Sequence, residues 1–539
     1  MTMHLMAFGA LVLWLPFLAD PYMAPRLLLV ALAAAVALVV KSDRRSSLEL
    51  PAMAFLAAVV LSAFLGQDWR YSIIGSYQFG MDSILSVVCY CAVLAAASRG
   101  GKDAGKVASM VAAWSIPVSL YGIFQRFFKD PLIWQDLHSG TRVASTQGGP
   151  IFLGAVLAIA SLCALHAALR GDRLARLALA LALPALWFTQ TRGAMLAFGV
   201  GAVFLWRPLA LAAIPALVLM PRFLNSSLSD RARIEVWKVA ADVFAAHPLT
   251  GHGNGTFYIA FRKFVGLGLV DAIGNASYVQ SHAHNDVLHV LATMGLVGVA
   301  AYAFLAWSAL RVALEHPEKK LLLALLACYA VLSSFNPVTT SAFVLLALVF
   351  GAASSAPAPA AERRVLPALA SLVVALSVGR LCLADYHYAR AAAAKGDAAL
   401  SAMEFQEAAR LNPWEMFYAC RQVDSLMSLI PRMPGVGDRR ALALAGRQLA
   451  ATAVERHPND SYAHELYGKQ ILIAHMAGYR DVEPKTALDA FNRAQELAPT
   501  FELLMLRRLN AARVMGELEQ VKYATRDLAD LQAAKGRKS

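Results

Sequence analysis

The chain has 539 residues, of which 58% are hydrophobic and 16% are charged, and its mean hydropathy is +0.52. A water-soluble protein of this length does not need that much apolar surface, so the composition excludes a soluble enzyme and indicates an integral membrane protein. The net charge of +13 lies mainly in residues 1–383, which hold 28 Lys and Arg against 17 Asp and Glu. Residues 384–539 hold 21 against 19, which excludes a basic nucleic-acid-binding domain.

Apolar segments recur along the first 380 or so residues. We predict an all-α polytopic membrane domain with about twelve or thirteen membrane-spanning helices. The first apolar segment is followed at once by a second and has no small-residue cleavage site, so we interpret it as a retained helix and not as a signal peptide. The predicted spans lie at residues 3–19, 25–40, 51–66, 81–98, 106–127, 150–169, 174–190, 193–206, 208–221, 286–310, 319–335, 338–353 and 365–383.

Five connections between these spans are rich in Lys and Arg, and the predicted spans place all five on one side of the membrane. By the positive-inside rule that side is cytoplasmic. The opposite connections, including the long polar segment 222–285, then face the periplasm, and so does the C-terminal part of the chain. The five basic connections are residues 41–45, 99–106, 170–176, 311–320 and 363–364.

The chain divides into a membrane domain, residues 1–383, and an exported helical domain, residues 384–539. In the second domain, amphipathic helices are expected to end at Asn412-Pro413, His457-Pro458 and Ala498-Pro499, at intervals of 45 and 41 residues. This spacing favours stacked helix pairs of the tetratricopeptide kind, and the alternative is an irregular helical domain. Such solenoids bind peptides or proteins, so we expect a protein partner at this domain.

No cofactor is predicted. The six cysteines show neither a disulfide framework nor metal-type spacing. His282 and His284 lack a third ligand at the usual spacing, and we expect Asp286 and His289 to project in different directions, so no metal site is predicted. The glycine-rich residues 251–255 have no preceding strand and no GK[ST] ending, and we interpret them as a tight turn, not as a nucleotide site.

Among the arginines of the predicted outer connections, four are candidate binding residues: Arg142, Arg192, Arg231 and Arg233. An arginine beside hydrocarbon is costly unless it meets an anion, and guanidinium binds phosphate oxygens bidentately. Several arginines in one pocket would suit a diphosphate at the lipid surface. The alternative for each is snorkelling to water, but for Arg192, in a turn too short to be a solvated loop, we favour a functional role.

His284 and Asn285 stand where polar segment 222–285 gives way to an apolar span, and Gly295 and Gly298 follow in that span. A neutral imidazole with an ordinary pKa of about 6.5 can take a proton from a sugar hydroxyl, as glycosyl transfer requires. We expect the glycines to let a neighbouring helix pack closely and hold the end of the loop rigid. The alternative is a structural histidine at the membrane edge.

Together these motifs resemble the bacterial O-antigen ligase family, which also includes O-antigen polymerases and O-linked protein oligosaccharyltransferases. The run HN-x9-G-x2-G at residues 284–298 resembles the family signature, and four further segments follow the family order over roughly residues 70–350. Relatives often have Gly-Asn-Pro-Asn where this chain has Gly148-Gly149-Pro150-Ile151, so two polar side chains are missing. The four segments are residues 119–127, 142–158, 189–197 and 233–257.

The resemblance implies a GT-C-type helical fold at the outer face of the inner membrane and a glycan donor on undecaprenyl diphosphate. It implies that Arg192 and Arg233 hold the diphosphate and that His284 deprotonates the acceptor hydroxyl, without metal or nucleotide. The other residues expected to bind substrate are Arg142, Arg231, Asn285 and His282.

We therefore predict a metal-independent, inverting glycosyltransferase of lipopolysaccharide biosynthesis with lipid A-core as acceptor. A second lipid-linked glycan (polymerase) or a protein hydroxyl (oligosaccharyltransferase) are alternatives that the helical tail favours. A lipid-linked glycan transporter is the alternative from another class, although no inverted repeat is evident and the acids lie at span ends. A scaffold that recruits partners through the tail would leave the arginines unexplained.

Overall fold

The computed structural model describes residues 1–75, 82–101, 103–128, 130, 142–209, 228–273, 278–394, 396–477 and 483–536. Within these ranges the chain is helical, apart from one two-stranded ribbon, short 3-10 turns and connecting loops. The protein is an all-α multi-pass membrane protein.

The N-terminal part of the membrane domain alternates apolar helices with short connections. Its elements are α1 (Thr2–Leu11), α2 (Met23–Val39), β1 (Ser42–Ser46), α3 (Glu49–Leu65), α4 (Trp69–Ile74), α5 (Ile84–Ser98), α6 (Ala104–Phe127), α7 (Pro150–Leu169), α8 (Arg173–Phe188) and α9 (Arg192–Leu205). The later elements are α10 (Leu228–Ala246), α11 (Phe257–Phe264), α12 (Leu267–Ile273), α13 (Asp286–Glu315), α14 (Lys319–Phe335), α15 (Thr340–Ala353), β2 (Ser355–Glu362) and α16 (Val365–Ala393).

Four of these helices, α6, α7, α13 and α16, are long and apolar enough to cross a membrane by length and composition, and six shorter apolar helices accompany them in the described ranges. The span predicted at residues 208–221 lies almost entirely outside the described residues, so the total of twelve or thirteen stays a prediction. Helix α7 lies in the middle of the bundle against α6, α8, α9 and α14, and every residue from 153 to 164 is buried.

A ribbon joins two of the basic connections. Strand β1 pairs antiparallel with β2, and Arg99 donates to the carbonyl of the last residue of β2 at 2.8 Å. The remaining basic connections meet at the connection that contains Arg99, because Arg170 forms a salt bridge with Glu318 and both side chains contact the position of Gly105. The prediction that all five basic connections share one side is confirmed. That this side is cytoplasmic stays a prediction.

Polar segment 222–285, the longest polar interruption between the predicted spans, is largely helical where the structure describes it, in α10, α11 and α12. The reason is a small apolar core of its own. Val236, Val239 and Val243 recur on one face of α10 and pack against Phe257 and Phe261 of α11. The segment is therefore a folded helical cap over the membrane domain.

The C-terminal domain is a series of helices, each packed on the next. The predicted stops are confirmed, because three of the helices end immediately before Asn412, His457 and Ala498. The tetratricopeptide assignment itself stays a prediction, and the predicted domain boundary after residue 383 falls within α16. The helices are α17 (Ala398–Leu411), α18 (Met416–Leu429), α19 (Val436–Arg456), α20 (Ser461–Met476), α21 (Pro484–Leu497), α22 (Glu502–Met515) and α23 (Leu518–Gly536).

This domain is docked on the membrane domain through buried polar pairs, which we call the domain junction. Oδ2 of Asp68, at the start of α4, lies 2.6 Å from Nδ1 of His457. Nη1 of Arg262, on α11, lies 3.0 Å from Oδ1 of Asp460, and both side chains are 1% exposed. The helical cap and the α3–α4 connection thus hold the C-terminal domain directly.

Candidate active site around His284

Asn285 starts helix α13. Its Oδ1 accepts a hydrogen bond from the main-chain N–H of Leu288 at 3.0 Å, which satisfies one of the donors left open at a helix N-terminus. Its Nδ2 donates to the carbonyl of Ser334, near the end of α14, at 3.4 Å. Asn285 therefore fixes where α13 begins and ties that point to α14.

His284 precedes this cap in a left-handed conformation, with φ of 55°. Its Nε2 lies 3.2 Å from Oε1 of Gln280, and Gln280 uses its Nε2 to donate to the hydroxyl of Tyr278. Nε2 of His284 must then carry the proton, which leaves the lone pair on Nδ1. Nδ1 is buried and has no hydrogen-bond partner among the described residues.

Burial, the neighbouring His282, the positive charge of Arg233 and then His289 lower the pKa of His284 to about 3. The imidazole is therefore neutral at physiological pH. Arg233 belongs to α10, so the helical cap brings one of the predicted arginines into the electrostatic range of the predicted base.

Beneath His284 lies a histidine stack, by which we mean His282, His289, Asp286 and Asp82. The two rings stack with centroids 4.0 Å apart. Nε2 of His282 lies 3.4 Å from Oδ1 of Asp286, and Nε2 of His289 lies 3.0 Å from Oδ2 of Asp82. Burial lowers the pKa of His282 well below its ordinary value.

The expectation that Asp286 and His289 project in different directions is wrong. They are three residues apart on α13, so both fall on the same face of the helix and both meet His282. No group of three His, Cys, Asp or Glu side chains in the described part of the chain has an arrangement that could hold a metal ion.

A cavity of about 280 Å³ opens below the histidine stack, between α3, α5, α13, α14 and α15. Its walls are mostly apolar, and its polar end contains the stack together with Tyr302 and Tyr329. Tyr329 donates to Oδ2 of Asp286 at 2.9 Å, and the two tyrosine hydroxyls lie 2.9 Å apart. The stack therefore separates His284 from an apolar space inside the membrane domain.

Helix α13 is broken at Gly295, which has φ of 62° and ψ of −158°. The break admits the main chain of the turn before α11. The main-chain N–H groups of His252 and Gly253 donate into α13 at 2.9 Å, and that of Leu296 donates back to Pro248 at 2.9 Å. A Cβ on Gly295 would stand 2.7 Å from the carbonyl oxygen of Pro248. The close neighbour of Gly295 is thus a turn and not the helix that was predicted.

Residues 251–255 form that turn, as predicted, with left-handed φ values at Gly251, Gly253 and Gly255. The turn also contacts the α3–α4 connection, because the carbonyl of His252 accepts from the main-chain N–H of Gln67 at 2.9 Å. It reaches the histidine stack through Asn254, which donates to the carbonyl of Asp82. One turn thus joins the break in α13, the domain junction and the site.

The other predicted arginines differ in position. Nε of Arg142 donates to the carbonyl of Thr189 at 2.9 Å and its Nη2 donates to Oγ1 of Thr191 at 3.2 Å. Its guanidinium therefore supports the turn that precedes Arg192, the exposed first residue of α9. The next residue in α9 lies against the side chain of Asn336, so this turn and the Asn285 cap both contact the end of α14. Arg231 is exposed on α10.

One part of the chain is similar to a known protein family. Residues 177–303 match the family model described as O-antigen ligase. We call this stretch, which is similar to O-antigen ligases, the ligase domain. It runs from α8 through the helical cap into α13, and it contains Arg192, Arg233, His284 and Gly295. The resemblance to the O-antigen ligase superfamily is therefore confirmed.

The ligase domain spans about a quarter of the chain, less than the stretch of resemblance predicted from the motifs. Arg142, Asp82 and the C-terminal helices lie outside it. No match to a curated protein was found for the chain. The ligase domain supports a transferase of the O-antigen ligase or polymerase type, with a lipid-linked glycan donor and an acceptor at the membrane.

Sequence reasoning missed Asp82 and His289. Asp82 lies 207 residues from its partner, and nothing local to it indicates that pairing. His289 is considered in the sequence only as a metal ligand, although its position three residues after Asp286 indicates a shared helix face.

Proposed function

We propose that this protein transfers a glycan from undecaprenyl diphosphate to an acceptor hydroxyl at the periplasmic face of the bacterial inner membrane. The ligase domain supports the class of reaction. The location follows from the basic side of the helical bundle, which would be cytoplasmic by the positive-inside rule and leaves His284 and the cap on the opposite side.

In the proposed step, the acceptor oxygen attacks the anomeric carbon of the donor sugar from the side opposite the diphosphate. The bond between that carbon and the diphosphate oxygen breaks, and the configuration inverts. The hydroxyl proton passes to Nδ1 of His284. Arg192 and Arg233 neutralise the charge that develops on the departing diphosphate, which is the contribution that lowers the barrier most.

The observation that carries this proposal is the free lone pair on Nδ1 of a neutral His284 beside a cationic side chain. The positive charge of Arg233 disfavours protonation of this imidazole, so the imidazole is a weak base. An anionic diphosphate on Arg233 would offset that charge and raise the pKa of His284. Donor binding would then strengthen the base at the moment when it is needed.

The proposed acceptor is lipid A-core. A second lipid-linked glycan or a protein serine or threonine would use the same step, because each offers a hydroxyl. In this proposal Arg142 acts through the turn before Arg192, and Asn285 acts through the start of α13. Arg231 stays a prediction for substrate binding, since it is exposed on the same helix as Arg233.

The test is transfer by the purified full-length protein, given undecaprenyl-diphosphate glycan with lipid A-core, with a second lipid-linked glycan or with an acceptor protein. We expect His284→Ala and Arg192→Ala to lower the rate by about 100-fold or more. The matched controls are His475→Ala and Arg439→Ala, two exposed residues of the C-terminal domain that should transfer at the parent rate.

The acceptor that is modified identifies the protein as ligase, polymerase or oligosaccharyltransferase. Full transfer by His284→Ala would defeat the mechanism. Movement of the lipid donor across liposomes without transfer to any acceptor would favour the transporter.

A further inference from the structure

The histidine stack includes side chains that take no part in the proposed step. We propose that His282, His289 and Asp82 are positioning residues, which hold the main chain of His284 so that its Nδ1 meets the acceptor hydroxyl. This role rests on the proposed function of His284 as the base. It assigns to His282 an action through His284, in place of the direct substrate contact expected from the sequence.

The hydrogen bonds of the stack have one consistent direction. Nδ1 of His282 accepts from the main-chain N–H of His284 at 3.0 Å, and Nδ1 of His289 accepts from that of Ala283 at 3.4 Å. A main-chain N–H can only donate, so both Nδ1 atoms carry lone pairs and both Nε2 atoms carry protons. Nε2 of His289 then donates to Oδ2 of Asp82 at 3.0 Å, and Nε2 of His282 lies 3.4 Å from Oδ1 of Asp286.

Each carboxylate favours the tautomer with a proton on Nε2. That tautomer leaves Nδ1 free to accept the main-chain N–H, and this hydrogen bond holds the main chain in place. In this arrangement a carboxylate interacts with one nitrogen of an imidazole and so orients the ring. Here the other nitrogen binds the main chain of a loop. Because the rings are stacked, neither can rotate without displacing the other. Residues 283 and 284 are therefore held at two consecutive N–H groups.

The main chain at His284 has to be held in place by such hydrogen bonds. His284 has a φ of 55°, a left-handed conformation that is strained for a residue other than glycine. Without the acceptor on His282, the main chain would relax toward negative φ. The imidazole of His284 would then swing away from Gln280 and Arg233, the two groups that define its tautomer and its electrostatics.

Amide side chains can separate the two halves of the stack. The oxygen of an asparagine at residue 282 occupies about the position of Nδ1, so His282→Asn keeps the acceptor for the N–H of His284. His282→Gln places its amide near Nε2 and loses that acceptor. His289→Phe keeps the ring stack and removes both hydrogen bonds.

The experiment measures kcat and donor KM of the full-length protein for these variants, beside His284→Ala and the control His475→Gln in the C-terminal domain. A base displaced by about 1 Å costs roughly 100-fold in rate. We expect a loss of kcat of that order in His282→Gln and His289→Phe, with donor KM unchanged because the stack does not hold the diphosphate. His282→Asn should recover most of the loss, and His475→Gln should match the parent.

An inactive His284→Ala together with full kcat in His282→Gln and His289→Phe would overturn the positioning role and leave the proposed function intact. Equal losses in His282→Asn and His282→Gln, with a raised donor KM and a lower melting temperature, would overturn it too, because they would show a general loss of structure. Full activity of His284→Ala would overturn the proposed function and this role with it.

Discussion

The histidine stack and the domain junction each place a carboxylate against an imidazole, but the second ring nitrogen differs in its hydrogen bonding. In the stack, His289 uses Nδ1 to accept a main-chain N–H while its Nε2 faces Asp82. In the junction, His457 faces Asp68 through Nδ1, and its buried Nε2 has no partner among the described residues. The two bonds of His289 fix the conformation of the main chain at residue 283. The bond of His457 holds the two domains in contact.

The junction also buries a full charge. Arg262 pairs with Asp460, but its Nε and Nη2 are buried without partners among the described residues. The rings of Tyr258 and Tyr462 lie 5.0 and 4.1 Å from its guanidinium carbon and supply part of the missing stabilisation. Charge and stacking hold the junction, whereas directional bonds between neutral rings and the main chain hold the stack.

The largest expected effect is at the junction. Asp460→Asn keeps an oxygen acceptor and a good N-cap for α20 but leaves the charge of Arg262 uncompensated. We expect a loss of about 3–5 kcal/mol in the free energy of unfolding, seen as a lower melting temperature and faster proteolysis of the C-terminal domain. The control is Asp424→Asn in an exposed pair with Lys469, expected to cost less than about 1 kcal/mol. Equal effects of the two substitutions would contradict the contrast.

The second largest effect is expected at the break in α13, the helix that contains His289. Gly295→Ala places a Cβ against the carbonyls of Pro248 and Leu249, at a φ and ψ that L-residues avoid. We expect a loss of about 3 kcal/mol by thermal unfolding. Gly199→Ala is the control, because Gly199 lies within α9 with open space at its Cβ position, and it should be neutral or stabilising. Unchanged stability of Gly295→Ala would mean that the turn is not inserted in α13.

The third effect depends on pH. Burial raises the pKa of Glu415, just before α18, from its ordinary 4.5 to about 8. A raised pKa means that the folded protein favours the protonated acid, so stability is full below about pH 4.5 and falls as pH rises through 8. We expect Glu415→Gln to flatten this decline, by about 2 kcal/mol at pH 8, in melting curves measured from pH 4.5 to 9. A decline that is equally steep in the variant would assign it to other groups.

The smallest expected effect on stability is at the stack. Asp82→Asn keeps an oxygen that can accept from Nε2 of His289, and no buried cation is left unpaired. We expect a loss of about 1 kcal/mol, measured beside Asp460→Asn under the same conditions. A loss as large as that of Asp460→Asn would show that His289 is charged and that the stack resembles the junction after all.

Much of the architecture could be predicted from local signals. Arginine and lysine in the connections indicate the shared side, proline after asparagine or histidine ends the helices, and the HN motif locates the candidate base. The helical cap could not be predicted in the same way, because its core joins α10 to α11 across the turn at residues 251–255. The pairing of Asp82 with His289 and the insertion of the turn at Gly295 depend on tertiary contacts over long sequence distances.

The ribbon of β1 and β2 has a consequence for the order of assembly. Arg44 on β1 bonds to Ser355 on β2, 311 residues further along the chain. At about 5–20 residues per second, a ribosome needs roughly 15–60 s to synthesise that interval. Until then α2 also lacks α16, the helix against which it packs most extensively. The first helices therefore lie in the bilayer without this packing partner. The bundle is complete only when the last apolar helix has been synthesised.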